Sequence, residues 1–199
     1  MKFLFKNTNL DNNLVYLKDE KIQTELCERL NNTKTLIDDF PKEWELVKKN
    51  IHDYEYIYTS NYRNNISKLS PISRSYFKFT EIYYDYNILN NKLNNKIVCL
   101  AEAPGGFIQA ITHLLSSDKT IKIYGNSLQS EIKSVPKWNT RLINNEKISF
   151  YNGINDDGDL YDFKNVLSLI KKYGRESVDL VTGDGGFDYS FDYSKQEIN

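Results

Sequence analysis

Three short stretches combine carboxylates with glycines, and each follows an apolar run. The first is Ala101-Glu102-Ala103-Pro104-Gly105-Gly106-Phe107. Two adjacent glycines let a backbone pass close to a ligand, and a helix starting there offers N–H groups without intrahelical partners. The stretch lacks the Lys-Ser/Thr ending of a P-loop and does not match the GxGxxG pattern, so neither phosphate-cradling motif applies. The second stretch is Asp157-Gly158-Asp159. A carboxylate there could meet the adenosine part of a cofactor, although on spacing alone it is equally a solvated Asp/Gly turn. The third is Thr182-Gly183-Asp184-Gly185-Gly186-Phe187. An Asp at a strand end, followed by two glycines, is placed to face both a cofactor and a substrate.

The elements that must hold these stretches can be read from periodicity. Lys96 to Ala101, Thr120 to Gly125, Lys147 to Tyr151 and Val178 to Thr182 read as four strands. Between them, one helix runs from the glycines through Ile111, Leu114 and Leu115. Another spans Tyr161 to Tyr173, with Val166, Leu167 and Ile170 on one side. A helix from a Ser73 cap to about Leu89 precedes the first strand. Strands alternating with helices predict an α/β fold with a parallel, Rossmann-like sheet and helices on both faces. Residues 1–70 read as a helical N-terminal extension and 71–199 as the sheet-bearing domain. In the extension, Ile22, Leu26 and Leu30 recur at helical spacing. A second helix is predicted from Thr33 to about Ile51, with Leu36, Ile37, Phe40, Trp44 and Val47. The aromatic run from Tyr54 to Tyr58 reads as a short strand, a partner-facing patch or buried packing.

Composition narrows the function classes. The formal net charge of −1 excludes a polybasic nucleic-acid binder, yet leaves room for a local basic groove. No apolar run reaches the ~20 residues that cross a bilayer, and the first residues lack the features of a secretory signal. Cys27 and Cys99, without CxxC spacing or clustered histidines, predict reduced thiols in a cytosol-like compartment and no metal site.

Taken together, EAPGGF and the later DLVTGDGGFDYS resemble the FtsJ-like methyltransferase family. The EAPGGF spelling is more similar to its mRNA-cap 2′-O-methyltransferase branch than to its bacterial ribosomal branch. SRSYFKFTEI is similar to the helix that carries the family's first catalytic lysine, and Lys78 matches it. INDDGDL resembles the motif whose acidic residue borders the adenine, with Asp159 as the match. PKEWELVKKNIHDYEYIYTS resembles the region preceding this domain in FtsJ-like proteins of large DNA viruses.

The resemblance implies S-adenosylmethionine as cofactor, bound by Glu102, Ala103, Pro104, Gly105, Gly106, Phe107, Asp159 and Asp184. It implies RNA as substrate, at the capped mRNA 5′ end, with other capping or transcription proteins as partners. Methyl transfer to a ribose 2′-hydroxyl would use a Lys-Asp-Lys-Glu tetrad, whose first two members match Lys78 and Asp184. In the family the second lysine lies on the next strand and the glutamate further on. The 199 residues are therefore expected to hold an incomplete sheet, truncated after the fourth strand, because Lys195 and Glu197 do not match those positions. A host-cytoplasmic or virion location, not secretion, is also implied. An enzyme acting on ribosomal or other structured RNA, and a non-catalytic RNA- or partner-binding module, remain open readings.

Overall fold

Lys96-Ile97-Val98-Cys99-Leu100 lacks the polar/apolar alternation of a strand with one wet face. In the computed structural model this run is β1 (Lys96–Leu100), and Ile97, Val98 and Cys99 are all buried. The structure describes residues 25–47, 57–58, 65–89, 94–174 and 176–186. Its other strands are β2 (Lys122–Gly125), β3 (Ile148–Phe150) and β4 (Leu180–Gly183), each within two residues of its predicted bounds. They form one parallel sheet in the order β3-β2-β1-β4. The order reverses at β1, and in such sheets a crevice opens at the strands' carboxyl ends where the reversal occurs. Register pairs Leu100 of β1 with Gly183 of β4, so the chain leaves both strands side by side.

Helices cover both faces, as the sequence pattern predicts. The helices are α3 (Ser75–Tyr86), α4 (Gly106–Leu114), α5 (Thr140–Ile143) and α6 (Phe163–Tyr173). Along β1, Ile97 and Cys99 join Phe79 of α3 and Ile108 and Ile111 of α4 in the larger core. Val98, between them, joins Leu169 and Tyr173 of α6 on the opposite face. Burial pushes the Cys99 thiol up to about 12, so it serves as packing and not as a nucleophile.

Four local expectations change. The Ser73 hydroxyl does not cap α3: Arg74 is the cap residue, no side chain caps the helix, and the Ser73 hydroxyl pairs with that of Ser75. The helix ends at Tyr86, before Leu89, because Asn87 adopts a left-handed conformation (φ 52°) that stops it. On α6 the buried residues are Asn165, Leu169 and Tyr173, whereas Leu167 and Ile170 are exposed. Hydrogen bonds to the preceding loop turn Asn165 inward, and Tyr173 packs on Tyr124 at 4.7 Å between ring centroids. That face wins over the more apolar one. The last change concerns the extension.

The chain divides into two compact units, Met1–Ile51 and His52–Asn199. In the first, the described elements are α1 (Glu25–Thr35), a 3-10 turn (Leu36–Asp39) and α2 (Pro41–Val47). The helix expected over 33–51 is therefore broken. Phe40 leaves helical geometry (φ −130°, ψ 46°), and Pro41, which has no N–H, starts the next helix. Leu36, Ile37, Phe40, Trp44 and Val47 are all exposed. The expectations for Ile22, for Tyr54 to Tyr56 and for Lys195 and Glu197 lie outside the described residues.

Candidate functional site

The turn between β1 and α4 is shaped by what its glycines allow. Gly105 takes φ +109°, a left-handed conformation that a side chain would strain, and a Cβ there would lie 2.1 Å from Leu142 Cδ1. A Cβ on Gly106 would lie 2.0 and 2.1 Å from the Ser75 and Ser73 hydroxyl oxygens and 3.0 Å from the Tyr76 backbone nitrogen. The missing side chains thus let α5 and the start of α3 close onto the turn. The glycines serve the protein's own packing, whatever else they admit. Ala103–Pro104 is a cis peptide; the Ala103 N–H donates to Ser127 Oγ at 3.3 Å, and the Pro104 carbonyl accepts from Asn139 N at 3.2 Å.

Because Gly106 draws the start of α3 onto the turn, the exposed face of α3 is brought towards the end of β4. Lys78 lies on that face, and its Nζ donates to Asp184 at 3.0 Å (Oδ1) and 3.4 Å (Oδ2) across 106 positions of sequence. The lysine side chain is 62% exposed and the aspartate 30%. A bridge this open contributes at most about 1 kcal/mol of stability. Its geometry holds an ammonium at the crevice.

Glu102 completes the group. It is 3% exposed, and its Oε1 accepts the Phe107 N–H at 2.7 Å, occupying one free donor of the α4 N-terminus. Its Oε2 is also buried and has no hydrogen-bond partner among the described residues. Burial pushes the carboxyl up to about 7; the Phe107 N–H opposes this, Asp184 adds to it, and the Ile108 N–H and Lys78 oppose it. Glu102, Ala103, Pro104, Lys78 and Asp184 line one cavity of about 940 Å³, with Ser73, Arg74, Phe77, Glu81, Tyr84 and Tyr58 further along its walls. No second lysine lines it among the described residues.

The other residues singled out in the sequence lie elsewhere. Gly105 and Gly106 form the turn behind the cavity, and the buried Phe107 ring packs on Phe79 at 5.3 Å. Asp159 sits in the loop between β3 and α6, and its Oδ1 accepts the Tyr161 N–H at 2.8 Å. The neighbouring Asp157 accepts from Asn165 Nδ2 at 2.6 Å and from the Asp159 N–H at 3.0 Å.

Sequence reasoning passed over Asn126 and Ser127, at the carboxyl end of β2. Both are buried; Asn126 Nδ2 donates to the Tyr151 carbonyl at 3.3 Å, while its Oδ1 has no partner among the described residues. The signal was available: polar residues directly after the buried strand Lys-Ile-Tyr-Gly stand where such sheets place ligands. The described residues contain no cluster of His, Cys, Asp or Glu able to hold a metal ion. No helix among them is long and apolar enough to cross a membrane.

A cavity at the reversal of a parallel sheet, with an ammonium and two carboxyls beside a glycine turn, is suited to group transfer between two bound molecules. Comparison with curated proteins finds no match. The model of the FtsJ-like methyltransferase family matches residues 71–199, more than half of the chain and all four strands, and the chain belongs to that family.

Proposed function

We propose that the protein transfers a methyl group from S-adenosylmethionine to a ribose 2′-hydroxyl of RNA, at the cap-proximal nucleotide of mRNA. In this reading residues 71–199 carry the transferase site and residues 1–70 are an extension. The observation that carries it is the Lys78–Asp184 bridge in a cavity shared with Glu102. The cofactor fits the polar atoms left over: Glu102 Oε2 and Asn126 Oδ1 are buried acceptors without hydrogen-bond partners among the described residues, and S-adenosylmethionine carries ammonium, hydroxyl and amino donors. Glu102, Ala103 and Asn126, at or beyond the carboxyl ends of β1 and β2, would hold it.

When bound, the cofactor supplies an electrophilic sulfonium methyl. Asp184 holds the Lys78 ammonium at the mouth of the crevice, where its charge would orient the ribose hydroxyl and ease loss of the hydroxyl proton to solvent. The ammonium also offsets negative charge developing on the attacking oxygen. The α3 wall, with Arg74, Phe77 and Tyr84, offers a cation and aromatic faces to a flexible RNA strand.

The test is transfer of labelled methyl to capped and uncapped RNA by the intact protein. Lys78→Ala and Asp184→Ala are each expected to cut transfer about 10²-fold or more while the melting temperature stays put. Near-wild-type transfer by both variants would remove the pair from the mechanism. Equal rates on capped and uncapped RNA would remove the cap.

A further inference from the structure

Glu102 is held more firmly than a side chain that only lines a cavity. Its own N–H donates to the Asn126 carbonyl at 3.1 Å, and its Oε1 is fixed on the Phe107 N–H of the nine-residue α4. The carboxyl therefore cannot swing out to water, and Oε2 stays buried with no hydrogen-bond partner among the described residues. Lys78, whose charge bears on Glu102, is hydrogen-bonded to both oxygens of Asp184 instead.

The groups facing Glu102 come from four elements. They are Lys78 on α3, Asp184 beyond β4, the Cys99 thiol on β1, and the Phe107 and Ile108 N–H groups of α4. Arg74 and Glu81 of α3 line the same cavity. Among the described lining residues the charges of Lys78 and Arg74 equal those of Asp184 and Glu81 in number, so the charge of the cavity turns on Glu102: neutral when it is protonated, negative when it is ionised.

We propose that Glu102 is a charge-sensing positioning residue. Its ionised form favours a cationic ligand in the cavity over a neutral ligand of the same shape. This rests on the cofactor reading above, and it gives the two states of that cofactor different affinities. Methyl transfer would break the S–CH3 bond with its electron pair passing to sulfur and form an O–CH3 bond, and the hydroxyl proton would go to solvent, because Lys78 as an ammonium cannot accept it. The sulfonium charge is then gone. The bound molecule carries one unit of positive charge less, and the ionised carboxyl takes up a proton from solvent until fresh cofactor returns. Because Glu102 titrates near neutrality, one ligand charge is enough to tip it.

S-adenosylmethionine and S-adenosylhomocysteine differ by one methyl and one positive charge, so calorimetry with both isolates the effect. Affinity for S-adenosylmethionine is expected to rise about fivefold to tenfold from about pH 6 to about pH 8, while that for S-adenosylhomocysteine changes less than about twofold. In two buffers of different ionisation enthalpy near neutral pH, only S-adenosylmethionine should release a fraction of a proton. Glu102→Gln keeps the acceptor for Phe107 and should flatten both responses. Parallel pH dependence of the two ligands in the unaltered protein would overturn the inference whether or not the variant folds. A pH response surviving in folded Glu102→Gln would overturn it too. Failure of either ligand to bind would overturn the cofactor reading and this inference together.

Discussion

The two acidic loops at the carboxyl edge of the sheet use their carboxylates in opposite ways. Between β3 and α6, Asp157 and Asp159 are absorbed into the loop itself. Asp157 accepts from Asn165 and from the Asp159 N–H, Asp159 accepts from Tyr161, and Asn165 returns a hydrogen bond to the Asp159 carbonyl. Between β1 and α4, Glu102 uses one oxygen on the backbone and leaves the other buried with no hydrogen-bond partner among the described residues. Sequence shows both as acidic, glycine-bearing turns after a strand. Structure separates a loop that holds itself together from one that keeps an unspent acceptor beside an ion pair. An unmet polar group is costly to bury, and its presence next to a cavity points to a ligand.

That contrast can be tested in order of expected effect. Gly106→Val should be the most damaging change, because a Cβ meets both serine hydroxyls and the Tyr76 backbone at the start of α3. A loss of about 3 kcal/mol or more in chemical denaturation is expected, on the scale of overpacking compounded by backbone displacement. A fully stable variant would show that the close approach of α3 to the turn is misplaced. Asn165→Ala comes next. It strips a fully buried hub from the β3–α6 loop and leaves Asp157 and the Asn155 N–H without that partner, at a cost of about 2 kcal/mol. The measurement is the same denaturation curve, and an unchanged midpoint would mean the loop does not depend on its own network.

A third experiment varies pH. The Glu102 carboxyl titrates at about 7 in the folded protein against 4.5 for an unperturbed group. Raised in this way, it contributes stability that is present below pH 4.5 and lost as pH rises through about 7. Glu102→Gln should therefore flatten the fall of melting temperature across that window, whereas Asp159→Asn should not. Identical pH profiles for wild type and Glu102→Gln would remove the contrast between the loops. The smallest effect expected is that of Asp159→Asn at neutral pH, within about 1 kcal/mol, because the amide oxygen can still accept from Tyr161.

Much of the scaffold was legible before the structure. Each strand is a short stretch centred on apolar residues, and each falls within two residues of its expected place. The legible part stops where partners decide. The four-residue α5 is too short for periodicity, and its Leu142 matters only because Gly105 leaves room for it. The α6 face was misread because an inward asparagine looks polar until the carbonyl and carboxylate that hold it are known. In the N-terminal unit the spacing suggested a single helix over 33–51 with Leu36, Ile37, Phe40, Trp44 and Val47, yet Pro41 splits it and the five side chains are exposed. Of the site, Lys78 and Asp184 were paired by family resemblance, since 106 intervening positions carry no local signal. The second oxygen of Glu102 is invisible to sequence, because being without a partner is a property of the whole neighbourhood.

Cys99 gives the protein a built-in reporter of its own opening. The thiol is fully buried in β1, flanked in the sheet by β2 and β4, and burial holds it in the unreactive protonated form. A thiol reagent can reach it only when the sheet parts, so its rate of modification, with Cys27 replaced by serine, counts excursions of the central strand. Because β1 runs directly into the Glu102 turn, any ligand gripping that turn should slow the clock.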